Sequence, residues 1–318
     1  MANIPHIVYA TDDNFAEILG VSLVSLYENS KDVDDIIVYV LDSGISDENI
    51  KKLKSLPKKY SRSDLSFIKA TDISKELSMN VNLDRGSLSQ YARLFVSSVL
   101  PAKLDRVLYL DCDIIINKSI SELWNLDIKG KTFSKQYRKN IDLEPDDIMF
   151  NSGVMLIDLD KWRRENIESK LLEFIRKKNG KIQQGDQGAL NAILSKETFC
   201  LEPRFNSVTI FYDFSYEEMM VYRKPVDFYP REEIELAVRE PSIIHYTTSF
   251  LSKRPWYKDC EHRYVAEWFK YKDISPWSDK PLWTEKKKNG IKGLYVSLCN
   301  KMPRKLMIGF SGILQAYG

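Results

Sequence analysis

Asp111-Cys112-Asp113 sets two carboxylates two positions apart, with Leu108-Tyr109-Leu110 before them and Ile114-Ile115-Ile116 after. In an extended segment, residues i and i+2 face the same side, so the two side chains can share one hard cation. No arginine adjoins the pair, and buried carboxylates need a partner. Either a cation or a satisfied backbone turn must serve. The chain has two other D-x-D triplets. Asp32-Val33-Asp34 falls in a polar turn, and Asp158-Leu159-Asp160 spans a strand-to-helix junction where Asp160 suits an N-cap. Both are read as structural.

His245 ends the apolar run Ser242 to Tyr246 and precedes Lys253-Arg254-Pro255-Trp256. Only three histidines exist, and packing or solvent accounts for His6 and His262. A lone histidine can be structural or a ligand. Two carboxylates with one imidazole suit an octahedral Mn²⁺ or Mg²⁺ with positions left for phosphate oxygens, whereas zinc prefers more nitrogen or sulfur.

Thr11-Asp12-Asp13-Asn14 follows the first strand. Its side chains can bind a base or ribose, or can simply cap the helix that follows. No G-x-G-x-x-G occurs, which argues against a dinucleotide-dependent hydride-transfer enzyme. Arg93, on a helix with Gln90 and Tyr91, can fork onto phosphate or carboxylate or stay solvated. Asp186 and Gln187 open a helix after Gly185, as site residues or as an acidic first turn.

The elements that must position these residues alternate. HIVYA (6–10), IIVYVL (36–41), LSFI (65–68), RVLYL (106–110), IIIN (114–117), GVMLIDL (153–159) and SIIHY (242–246) read as strands. Helical spacing covers 15–27, a start at Ser46, 88–100 up to Pro101, one long charged helix 160–178, and 184–194. Alternation of this kind predicts an α/β fold with a mainly parallel sheet covered on both faces. Such sheets bind ligands beyond the carboxyl ends of their strands, which are the ends that carry Thr11–Asn14 and Asp111–Asp113.

With 318 residues, 43% of them hydrophobic and 29% charged, the chain can bury a large core. A formal charge of +2 argues against a nucleic-acid partner. Residues 285–318 hold seven basic residues against Glu285, so this tail is +6 and the preceding 284 residues are −4. Cys112, Cys200, Cys260 and Cys299 are widely spaced, as reduced thiols are. The N-terminus lacks a secretory pattern, and no apolar run is long enough to span a bilayer. These features predict a cytoplasmic protein.

Taken in order, IVYATDDNF, VLDSGIS, YARLF, RVLYLDCDIII, ELWNLDI, FNSGVMLIDLDKWR, GDQGALNAIL, RFN and IIHYTTSFLSKRPW resemble glycosyltransferase family 8, most closely its bacterial lipopolysaccharide galactosyl- and glucosyltransferase branch, which is related to glycogenin. The resemblance covers residues 4–270. It implies a GT-A domain over 1–270, followed by a basic amphipathic extension over 271–318. It also implies manganese, or magnesium, held by Asp111, Asp113 and His245. Ala10, Thr11, Asp12, Asn14, Cys112, Asn151 and Lys253 would line the UDP-sugar, and Arg93, Asp186 and Gln187 would surround the reacting sugar. The implied reaction is retaining transfer of galactose or glucose from a UDP-sugar to a saccharide, lipid-linked or protein-linked glycan hydroxyl. Since Gln187 is a poor nucleophile, attack on the leaving group's own face is implied.

Two segments depart from the family pattern. The loop from His245 to Trp256 is longer than the usual H-x-x-G-x-x-K-P-W and lacks its glycine, and 131–153 is short and basic. A degenerate nucleotide-sugar-binding protein at the membrane surface is therefore the rival reading. In the tail, Ile291, Leu294, Tyr295 and Leu298 fall at helical spacing beside Lys288, Lys292 and Lys301, before Pro303 and LMIGFSGIL. This pattern predicts peripheral attachment to the anionic inner face of a membrane.

Overall fold

The computed structural model describes residues 3–81, 88–127, 134–135, 149–223, 225, 228–284 and 302–317. Most of the departing 131–153 segment, and the apolar series Ile291 to Leu298 of the tail, lie outside the described residues.

Strands β1 (His6–Thr11), β2 (Ile37–Asp42), β3 (Ser66–Lys69) and β4 (Arg106–Leu110) form a parallel array in the order β3-β2-β1-β4. A second, smaller sheet begins with β5 (Ile114–Ile116). Two-residue strands β6 (Ser134–Lys135) and β7 (Phe150–Asn151) pair with each other, and β8 (Val154–Asp158) closes the main sheet antiparallel to β4. β9 (Ser207–Val208) and β10 (Ile243–His245) complete the small sheet, with β10 lying between β5 and β9. The fold is therefore the expected mainly parallel α/β sheet. The SIIHY strand, however, belongs to the small sheet and not to the parallel array.

Successive residues of a strand face opposite sides, so nearly unbroken apolar runs make both faces of the main sheet dry. Ile7, Tyr9, Val38, Val40, Leu108 and Leu110 pack under helix Ala16–Asn29, together with Trp256, Trp268 and Trp277. Val8, Tyr39, Leu41, Val107 and Tyr109 pack on the other face against Tyr91, Leu94, Leu171, Ile175 and Leu190. Residues 271–284, where the extension was expected to begin, join the first of these cores. Trp277 is fully buried with its ring against Gly20, where a Cβ would lie 2.1 Å from Trp277 Cζ3. Its indole donates to Asn49 Oδ1 at 3.1 Å.

Several local expectations change. The 88–100 helix is a 3-10 turn, Leu88–Phe95, followed by the short helix Val96–Val99. The single charged helix over 160–178 is two, Leu159–Arg164 and Ile167–Lys177, because Asn166 turns left-handed at φ 52°. Asp158, not Asp160, caps the first of them by accepting from Lys161 N at 2.7 Å. Asp32 and Asp34 are structural as read: Asp34 accepts from Asn3 N at 2.7 Å, and Asp32 accepts from the Ser119 hydroxyl. No disulfide forms among the described cysteines.

His262 is packed, as expected, between the edges of Tyr212 and Tyr246, with ring centroids at 5.1 and 4.8 Å. Its Nδ1 accepts from Tyr264 N, and burial pushes its pKa down to about 4 from the ordinary 6.5. Above pH 6.5 neither folded nor unfolded chain binds this proton. As the pH falls from 6.5 towards 4 only the unfolded chain does, so stability drains by a limit on the order of 3 kcal/mol. His262→Gln is expected to flatten this decline, measured as the difference between urea midpoints at pH 7 and pH 4.5.

Candidate functional site

Asp111 and Asp113 sit in the bend between β4 and β5, and backbone pairing fixes both ends of it. Asp111 N donates to Gly153 O at 2.8 Å, and Tyr246 N donates to Asp113 O at 2.9 Å. Because β10 runs antiparallel to β5, with Ile114 opposite His245, the imidazole arrives beside the carboxylates from more than a hundred residues away. One ligand atom from each of Asp111, Asp113 and His245 falls within 4.8 Å of the others, and all three residues are buried. His245 Nε2 lies 3.2 Å from Asp113 Oδ1 and 3.8 Å from Asp111 Oδ2.

The surroundings orient these donors. Asp111 Oδ1 is taken by Arg93 Nη2 at 2.9 Å and by the Tyr109 hydroxyl at 3.0 Å, which leaves Oδ2 towards His245. Asn206 Nδ2 donates to Asn151 Oδ1 at 3.0 Å, so its own Oδ1 faces His245 Nδ1 at 2.8 Å. Nδ1 therefore donates to Asn206, and Nε2 faces the carboxylates. Gly153 permits the approach: a Cβ there would fall 2.3 Å from His245 Cε1 and 2.9 Å from Asp111 Oδ2. Adjacent ligands on an octahedral ion with bonds of about 2.1 Å stand roughly 3 Å apart. The spacings and the oxygen-rich donor set thus fit a hard divalent cation.

Arg93 is buried among carboxylates. Its Nε meets Asp186 Oδ2 at 2.7 Å, its Nη1 donates to Ser152 O at 2.7 Å, and its guanidinium lies 4.5 Å from the Tyr109 ring. Burial alone would lower its pKa, but Asp111 and Asp186 outweigh that and hold it charged. Burial also drives the Tyr109 hydroxyl well above its usual range, keeping it a donor to Asp111. Of the two readings open for Arg93, the fork onto carboxylate is the one formed.

The other expected residues divide. Gln187 is fixed by the neighbouring chain: its Oε1 accepts from Ser152 N at 3.3 Å and its Nε2 donates to Gln184 Oε1 at 2.7 Å. Asn151 Oδ1 also accepts from Gly153 N, so it props the His245 support. Asp12 caps the turn after β1, its Oδ1 accepting from Asn14 N and Phe15 N, and Asn14 is exposed at the same strand end. The Thr11 hydroxyl donates to Asp12 O. The Cys112 thiol turns away from the carboxylates to Ala10 O at 3.4 Å, and burial holds it protonated. Lys253 turns back to Lys258 O, while Arg254 reaches Asp113 Oδ2 at 3.4 Å and donates to Thr248 Oγ1.

Tyr109, Ser152 and Asn206 complete the site without having been singled out for it, and Arg254, weighed beside Lys253, joins them. Tyr109 and Asn206 lie inside the motifs RVLYLDCDIII and RFN, but nothing in their local spacing marks either as a site residue. Arg254 stands directly before Pro255-Trp256, the position at which the family pattern has its lysine.

A family model for glycosyl transferase family 8 matches residues 6–260. General stress protein A of Bacillus subtilis is 29% identical, the match covering 86% of this chain and 95% of that one. Lipopolysaccharide 1,2-glucosyltransferase of Escherichia coli is 26% identical over 86% of this chain and 79% of its own length. Among solved structures, galactosyltransferase LgtC in complex with donor and acceptor sugar analogues superposes with a TM-score of 0.69 and 25% identity, over 85% of this chain and 96% of that one. The chain belongs to glycosyltransferase family 8.

Removing the central guanidinium leaves two buried carboxylates facing each other. Arg93→Met is expected to cost about 3–5 kcal/mol of stability, read from denaturant unfolding. A variant within 1 kcal/mol of the parent would show that Arg93 is not the counter-charge for this site.

Proposed function

We propose that this family 8 chain moves a hexose, galactose or glucose, from a UDP-sugar to a hydroxyl of a saccharide or glycoconjugate with retention of anomeric configuration, using Mn²⁺ or Mg²⁺. The observation that carries the reading is the convergence of Asp111, Asp113 and His245 donors within 4.8 Å at the carboxyl end of the sheet. The names of the relatives, one a glucosyltransferase and one a galactosyltransferase, support a hexose.

On this reading Asp111, Asp113 and His245 would hold the cation. When bound, a divalent ion supplies Lewis-acid neutralisation of the charge that grows on departing UDP. Arg254, already beside Asp113, gives the diphosphate a second positive neighbour. Asp12 and Asn14, at the end of β1, serve the ribose and uracil, with Ala10 and Thr11 forming the floor. Arg93 ties Asp111 to Asp186, so the metal end and the sugar end of the site move as one body. Asn151, Asp186 and Gln187 flank the sugar. A carboxamide cannot ionise to a carboxylate nucleophile, so Gln187 positions the anomeric carbon and stabilises it while the acceptor enters on the face that UDP leaves. No proton from the protein is needed for UDP to depart.

The acceptor is proposed to lie at a membrane. No helix among the described residues is long and apolar enough to cross one. The last helix, Arg304–Tyr317, buries Met307, Ile308 and Ser311 and exposes Leu306, Phe310 and Ile313 at i, i+4 and i+7. Lys305 is exposed beside that apolar stripe, and the sequence before Pro303 is rich in lysine, a combination that suits anionic lipid.

A panel of UDP-sugars with Mn²⁺, scored for UDP release and for product anomer by NMR, tests the reaction. Asp113→Ala is expected to lose roughly 10³-fold or more in kcat, and Asn206→Ala about 10- to 100-fold in metal affinity. UDP binding without release or transfer from any donor would instead establish the non-catalytic binding protein. For the surface, Phe310→Asp is expected to reduce sedimentation with phosphatidylglycerol vesicles about tenfold. Equal sedimentation of parent and variant would remove the helix from membrane attachment.

A further inference from the structure

The segment that carries Arg254 to Asp113 is irregular from Tyr246 to Pro255. Ordering such a chain costs about 1–2 kcal/mol per residue in backbone entropy, so something must hold it. Thr209 N donates to Thr247 Oγ1 at 3.2 Å near its start and the Cys260 thiol donates to Lys253 O at 2.9 Å near its end, while its middle rests on one side. The hydroxyls of Ser249 and Ser252 both donate to Asp213 Oδ2, the second at 3.0 Å, and Leu251 N donates to Ser249 Oγ at 3.1 Å. Between these serines, Phe250 inserts its ring against Phe214 and Tyr222, with centroids at 5.9 and 5.6 Å.

The last helix rests on the same groups. Arg304 donates to the Asp213 carbonyl, forks onto Glu218 at 2.7 and 2.8 Å, and lies 5.9 Å from the Phe214 ring. Met307 and Ile308 are buried in the cluster that contains Phe214 and Tyr222, and Phe250 and Leu251 pack against that cluster. Gly312 comes close to helix Tyr216–Arg223, where a Cβ would lie 3.0 Å from Val221 O. Arg304 makes its hydrogen bonds to Asp213 and Glu218, not to the loop, so any effect of Arg304 on the loop must pass through the shared supports.

We infer that the Arg304–Tyr317 helix is an internal brace for the loop between His245 and Trp256, with Asp213 as the positioning residue that takes the loop on its carboxylate and the helix on its carbonyl. The helix thus serves the donor site from within the protein, apart from any role of its outer face. Only the consequence for UDP rests on the proposed function. The linkage between helix and loop does not.

The apparent affinity of a loop-dependent ligand falls in proportion to the fraction of molecules with the loop in place. The test follows loop amide hydrogen exchange, Leu251 among them, by mass spectrometry in the full chain, together with UDP affinity in the presence of Mn²⁺. Asp213→Ala and Arg304→Ala are each expected to speed exchange across 247–253 about tenfold. UDP affinity should weaken by a similar factor, with kcat at saturating donor little changed. Arg304→Lys should recover part of both. Loop exchange that stays at the parent rate in Arg304→Ala, whether or not residues 304–317 exchange faster, would overturn the brace. Should the parent protein fail to bind UDP, the donor reading falls while the exchange rates still decide the linkage.

Discussion

A buried guanidinium between two buried carboxylates is the constraint on which the rest of this molecule turns. Asp111 and Asp186 come from different parts of the chain, and neither can be ionised in a dry site without compensation. Arg93 supplies it with separate nitrogens of one rigid plane, and Ser152 fills another edge. The triad fixes which oxygen of Asp111 is left for a cation. It also ties Asp111 to Asp186, so the relative position of these two carboxylates does not depend on a loop.

The second determinant is a change of sheet. After β4 the chain bends through Asp111–Asp113 and enters β5, which belongs to a different sheet. That sheet brings in β10 and hence His245, whose ring is set by Asn206 and Asn151. Carboxylates at the end of a parallel strand and an imidazole at the end of a strand in another sheet meet because the bend is pinned at both ends by backbone hydrogen bonds. Gly153 lets β8 pass close enough for this.

The loop after His245 carries out a different task from the rigid floor beneath it. Its serines and Phe250 lean on Asp213, Phe214 and Tyr222, while its far end brings Arg254 to Asp113. The last helix lies against the same supports.

Strand positions, both-face burial and the identity of the Asp-Asp-His trio were legible in the sequence because each leaves a local mark: nearly unbroken apolar runs, an acidic pair fenced by strand, a histidine closing an apolar run. Whether Asp12 caps a turn, which aspartate starts the helix after β8, and where Arg93 spends its charge were not legible. Each depends on a hydrogen-bond partner that local spacing does not specify. Arg93 has the same neighbours in sequence whether solvated or buried, and Lys253 and Arg254 are adjacent cations until one turns to Lys258 and the other to Asp113. Residue type and periodicity therefore determined the fold class and the metal-ligand candidates. Tertiary packing alone decided the partner of each buried charge, because that choice is made by groups brought together across the chain to satisfy one another in a medium where unpaired charge is costly.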